Sequence, residues 1–177
     1  MTVIGGDDIV LALEAQLKRN VPTVLEKLEL EHLGEIETWQ IVPDAGAIAA
    51  AALPAVAIVS PRVSTQPRRS HSEYGGDWQV SVGVFARGID HQHTQTQVQQ
   101  WAKVLRTAAL MSPALPGTQI RMRWAGEEYS LIPTKEDART IAGAEVMFDA
   151  SVEVALDLAN LRNDPLFLSV HPDVQPN

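Results

Sequence analysis

Cysteine is absent from the 177 residues, which excludes disulfides and thiolate metal sites and with them a small cross-linked secreted scaffold or a zinc finger. Long apolar runs are missing as well. The longest weakly polar stretch, Ala45 to Val59, follows Pro43, contains Pro54, and falls short of the roughly 20 apolar residues that span a bilayer. No membrane span is expected. The N-terminus, MTVIGGDD, lacks a basic head followed by an apolar run, so the expectation is a soluble intracellular product without a signal peptide. A phosphate-cradling loop is missing too, because Gly5-Gly6 and Gly75-Gly76 lack the strand, lysine and helix context of a nucleotide site. The length favours one domain.

The charge that is present is uneven. A net charge of −8 argues against wholesale nucleic-acid wrapping, which needs Lys and Arg to displace counterions from phosphates. Residues 1–60, 61–125 and 126–177 carry −6, +5 and −7, respectively. A basic middle between acidic ends suits association with a complementary partner or with another copy of the chain.

The periodicity alternates between helix and strand. Asp7 and Asp8 precede Ile9, Val10, Leu13 and Leu17, which predicts an aspartate-capped amphipathic helix ending near Asn20. Val21-Pro22 restarts a second helix, with Val24, Leu25, Leu28 and Leu33 on one face and Gly34 closing it, so the pair reads as a bent arm or hairpin. Short strands follow at Thr38–Val42 and Pro54–Val59, the second stopped by Ser60-Pro61. Residues 62–77 read as a long exposed loop. Trp78, Val80, Val82 and Val84 alternate as a strand; Asp90 then caps a helix that buries Val98, Trp101, Leu105 and Ala108. Ile120–Trp124 and Tyr129–Ile132 read as a hairpin turning at Gly126-Glu127. The strongest alternation, Ala144 to Leu156, is long enough that part of it should protrude or pair with another subunit. The fold class is therefore α+β, with a mixed, mainly antiparallel sheet flanked by a central helix and an N-terminal helical segment. Residues 1–157 form the domain and 158–177 an extended tail, whose Leu166, Phe167 and Leu168 are more apolar than a disordered tail needs.

Candidate chemistry is sparse. His91 and His93 form an H-x-H pair without a third ligand at metal-site spacing, and Asp90 beside them is placed to cap the helix. His71 among Ser70, Ser72 and Glu73 has hydrolase residue types, but neighbours in one loop do not build a nucleophile, base and orienter. Glu127 and Glu128 sit at the expected turn, facing solvent. The four tryptophans, Trp39, Trp78, Trp101 and Trp124, fall on the apolar phase of their elements and are expected in the core. Arg62, Arg68 and Arg69 form the most suggestive polar group, able to meet carboxylates or phosphates. Catalytic, cofactor and metal residues are not assigned. The candidate interface residues are Arg62, Arg68, Arg69, Tyr74, Arg121, Arg123, Leu166, Phe167 and Leu168.

The order of elements, PAVAIVSPR (Pro54–Arg62), a loop, WQVSVGVFARG (Trp78–Gly88), a central helix, RMRWAGEEYSLIP (Arg121–Pro133) and AEVMFDASVEVAL (Ala144–Leu156), resembles the tail terminator proteins of long-tailed phages. The resemblance covers roughly residues 5–157 and rests on soft patterns of strand, helix and strand. It implies a non-enzymatic virion protein at the head–tail junction, made in the host cytoplasm. Its partners would be copies of itself in a ring, commonly a hexamer, the major tail tube protein and a head-completion protein, with DNA passing through the lumen without sequence-specific binding. It implies no cofactor and no membrane. Head-closure and other head–tail joining proteins share this small α+β build and stand as an alternative. A small-ligand-binding or metal-dependent hydrolytic domain using His71, Glu73, His91 and His93 is the reading from another class.

Overall fold

A computed structural model of the chain describes residues 3–41, 52–65, 70, 72–115, 118–132 and 141–157, with the side chains at 64, 65, 131 and 132 left aside. The first element, α1 (Gly6–Lys27), is one helix, not two. Its cap is Gly5, whose N–H donates to the Asp8 carboxylate at 2.8 Å, so the aspartates act from inside the first turn. The helix continues through Pro22 because the buried stripe of Ile9, Leu13 and Leu17 extends to Val21, Val24 and Leu25. Burying three such side chains is worth about 1.5–3 kcal/mol each, more than the roughly 3 kcal/mol that an interior proline costs. Beyond Lys27 the chain turns at Glu29, with φ 56°, and makes a 3₁₀ turn over Glu31–Leu33. Gly34, with φ 77°, closes that turn and not α1.

The remaining elements are β1 (Thr38–Gln40), β2 (Ala55–Thr65), β3 (Glu73–Arg87), α2 (His91–Leu110), β4 (Ile120–Ile132) and β5 (Ile141–Asp157). They build one five-stranded sheet in the order β1-β2-β3-β5-β4, antiparallel except for the β1/β2 pair. The fold is α+β.

Three strand expectations change. Strand β2 passes through Ser60-Pro61 by a register shift between Val59 and Arg62, the kind of irregularity where a strand tolerates proline. Arg62 therefore lies in a strand, paired with Gln79, and the expected loop over 62–77 shrinks from both ends. The supposed hairpin is a single strand. Gly126 does not turn the chain; it sits at a bulge between Trp124 and Gly126, and β4 stays paired with β5 from Ile120 to Ile132. Finally, β5 does not protrude, because it lies between β3, which follows it from Ile141 to Asp157, and β4, which follows it as far as Val152. Past that point the Ile4 N–H donates to the Ala155 carbonyl at 2.8 Å, and Val3 bridges Leu156.

Both helices pack on one face of the sheet. There α1 lies on β2 and on α2, while α2 covers β3, β5 and β4. The core between the layers comes from the alternating positions Trp78, Val80, Val82 and Val84 of β3, Val146, Phe148, Ala150 and Val152 of β5, and Val98, Trp101 and Leu105 of α2. The helices are locked together by polar side chains. Gln16 of α1, 1% exposed, donates through Nε2 to the carbonyls of Ala109 at 2.6 Å and Ser112 at 3.0 Å, and Asn20 donates to Ala108 at 2.9 Å. The bonds to Ala108 and Ala109 satisfy carbonyls that the last turn of α2 leaves without intrahelical partners, and the bond to Ser112 ties down the chain just past the helix. At the other end of α2 the His93 N–H donates to Asp90 Oδ1 at 2.7 Å, the expected cap.

Candidate interaction surfaces

The sheet face opposite the helices carries no packed secondary-structure element among the described residues, and its strand register arranges it in cross-strand rows. One row runs Arg62, Gln79, Asp149, Arg123; the next outward runs Asp77, Ser151, Arg121. Three of the candidate arginines, from β2 and β4, thus share one end of one face although about 60 residues separate them in the chain. Arg123 donates to Asp149 at 2.7 Å, and that bond and the carboxylate charge hold its guanidinium more firmly protonated than usual. Arg62 and Arg121 are exposed and make no ion pair among the described residues.

Toward the other end the same face becomes small and then acidic. Val59, Ser81, Met147 and Gly126 form the middle row, followed by Ala57, Gly83, Glu145 and Glu128. A depression of about 330 Å³ opens there, lined by Gly83, Phe85, Glu128, Ser130, Gly143 and Glu145 among others. Phe85 stands opposite Gly143, and a Cβ at that glycine would come within 3.2 Å of the ring. The aromatic ring fills the space the missing side chain leaves.

At the β1 edge of the sheet, a groove of about 590 Å³ runs between α1 and the segment leading into β1. Its walls are Val21, Pro22, Leu25, Ile36 and Trp39, and its rim carries Glu31, Glu35 and Lys18. Lys18 lies 5.6 Å from the centre of the Trp39 ring and is ion-paired with Glu14 at 2.8 Å. Glu31 and Glu35 are exposed and have no ion-pair partner among the described residues.

A third cluster lies at the β4 edge on the helix side. Arg106 of α2 stacks 4.7 Å from the Trp124 ring centre and binds Glu127 at 2.8 Å, and the Tyr129 hydroxyl donates to the other oxygen of Glu127 at 2.6 Å. Burial, then the bond to Glu127 and its charge, push the Tyr129 hydroxyl up to about 12. Two expectations fail here. Glu127 is held under Arg106 and is not a solvent-facing turn residue, and Trp124 is 46% exposed and not a core residue. Trp124 keeps the apolar phase of its strand, but β4 is the edge strand, and a guanidinium covers the ring in place of apolar side chains.

The residues with catalytic or metal-binding chemistry do not converge. His91 and His93 are exposed in the first turn of α2, and no group of three His, Asp or Glu able to hold a metal occurs among the described residues. Ser70 Oγ accepts from the N–H groups of Ser72 and Glu73, organising a turn, while His71 lies outside the described residues. Tyr74 lies just beyond the arginine rows at the same end of β3, beside Val3, Ile4 and Leu156. Arg68, Arg69, Leu166, Phe167 and Leu168 lie outside the described residues. No helix of the described residues is long and apolar enough to cross a membrane. Sequence reading missed Glu31, Glu35, Lys18 and Trp39 as one group, since nothing in their spacing shows that the 3₁₀ turn folds them back along α1.

No family model matches the sequence, and no curated protein matches it. Among solved structures, a chain of the "Virion of native gene transfer agent (GTA) particle" is similar, with 15% identity, a TM-score of 0.44, and coverage of 76% of this chain and 92% of that one.

Proposed function

We propose that this chain is a structural subunit of a phage-type virion, a tail terminator that assembles into a ring, commonly hexameric, at the end of the tail tube. In that place it stops tube growth and offers its outer surface to the head-completion protein. The reading starts from the order of elements noted above. The observation that carries it further is the two-sidedness of the subunit. An acidic apolar groove lies at the β1 edge, and a basic sheet end lies at the β4 edge, where Arg121 and Arg123 project. A closed ring needs two unlike, complementary patches on every copy, because each contact is heterologous.

Light scattering and negative-stain images of the purified chain test this. A ring-sized species with a central hole is expected, and tail tube subunits polymerised in its presence should give capped tubes that stop growing. A monomer at all concentrations, or tubes that elongate unchanged, would overturn the assignment.

A further inference from the structure

We propose that the ring contact is head-to-tail, with the β4-edge arginines, Arg121 and Arg123, of one copy entering the acidic groove at the β1 edge of the next. This rests on the ring reading above and names its contact.

The sheet order places the two patches apart. Strands β1 and β4 are the two edges, so a subunit that offers arginines at one edge and carboxylates at the other joins its neighbour side by side without using one patch twice. Charge favours the same pairing. Glu26, Glu29, Glu31, Glu35 and Glu37 are all exposed around the end of α1 and the approach to β1, and among the described residues none of them is ion-paired. On the other edge Arg121 is exposed and unpaired among the described residues, and Arg123, 81% exposed along its side chain, is ion-paired with Asp149 of its own subunit.

The groove has the chemistry an arginine needs. Its walls include the half-buried Trp39 ring and Ile36 beside the buried Val21 and Leu25, and its rim is Glu31 and Glu35. A guanidinium is planar and weakly hydrated, so it stacks on an indole while its N–H groups reach carboxylates at the edge. Lys18 already stands near Trp39, but Glu14 on its own helix holds its ammonium, leaving Glu31 and Glu35 for an incoming charge.

Paired charge reversals decide the matter. One variant carries Glu31→Lys and Glu35→Lys; the other carries Arg121→Glu and Arg123→Glu. Each has like charges at every contact, so the midpoint concentration for assembly should rise by about 10–100-fold in sedimentation or light scattering. Mixed in equal amounts, the two are complementary at every contact and should form rings of alternating copies close to the wild-type midpoint. Far-UV circular dichroism checks each fold. If the double arginine variant is perturbed through Asp149, Arg121→Glu alone replaces it in the mixture. Wild-type rings that tolerate both reversals, or reversals that are not rescued by mixing, would overturn the pairing and leave the ring standing. A wild-type chain that never assembles would remove both.

Discussion

Replacing Gln16 with leucine tests how the two helices are held together. Leucine is close to glutamine in volume, so the substitution removes hydrogen bonds while leaving little cavity, and the cost isolates the polar contribution. Gln16 Nε2 serves two carbonyls, that of Ala109 in a buried bond of 2.6 Å and that of Ser112 in a part-buried bond of 3.0 Å. The first is left unsatisfied in the interior at about 1–3 kcal/mol, and the second, nearer to water, loses roughly 0.5–1.5 kcal/mol. Gln16 Oε1 works against this, being itself buried without a partner, and its removal returns part of the loss. The expected net destabilisation is about 1–3 kcal/mol, or roughly 2–12 °C in melting temperature for a chain of this size. Urea denaturation followed by tryptophan fluorescence, at one fixed protein concentration so that assembly does not shift the midpoint, measures it. A leucine variant within about 0.3 kcal/mol of wild type would show that water or backbone relaxation replaces the Gln16 bonds, leaving Asn20 and apolar packing to hold α1 on α2.

Gly88→Ala should destabilise by about 2 kcal/mol or more, read by the same denaturation, because a Cβ there would stand 2.7 Å from the backbone nitrogen of Thr94, which cannot swing away. Glu127→Gln should bring the Tyr129 hydroxyl down from about 12 toward its ordinary 10, seen as tyrosinate absorbance in a pH titration; an unmoved transition would assign the shift to burial alone. In the wild type, the folded state holds that proton more tightly than the unfolded state. Stability from this group is therefore complete below pH 10 and declines as pH rises toward about 12, and Tyr129→Phe should lose that decline in alkaline denaturation.

What the sequence revealed follows from which signals are local. Helix α2 and its core stripe of Val98, Trp101 and Leu105 were readable from the Asp90 cap and the spacing, because both the cap and the stripe are set within a few residues. Strands β3 and β5 were readable for the same reason, since one face of each is buried and alternation marks it. The errors fall where a local breaker met a longer-range gain. Pro22 reads as a boundary, yet the packing of Val24 and Leu25 carries α1 through it; Gly126 reads as a turn, yet pairing with β5 on both sides of the bulge keeps β4 whole. The interaction surfaces were half legible. The sequence groups Arg62 with Arg68 and Arg69 on a loop and offers Arg121 and Arg123 elsewhere, and only the β2/β3/β5/β4 register places Arg62, Arg121 and Arg123 on one sheet face.

The three charge blocks also change meaning once folded. The basic middle is answered only in part from the acidic end of the chain: of its eight bases, Arg106 pairs with Glu127 under cover of the fold, and Arg123 pairs with Asp149 while its side chain stays 81% exposed. The first block has no such internal answer. Its carboxylates between Glu26 and Glu37 crowd the end of α1 and the approach to β1 with one lysine, the exposed Lys27, among them; none of these groups is ion-paired among the described residues, and Lys18 is committed to Glu14. A cluster of like charges that a fold does not neutralise costs self-repulsion, which screening by salt or a basic partner relieves. The two remedies have opposite signatures. If the cluster faces only water, added salt stabilises the chain and leaves its assembly untouched; if it faces the arginines of a neighbour, salt weakens the assembly as it screens the contact, so assembly measured across a salt series separates a merely solvated acidic edge from one that binds.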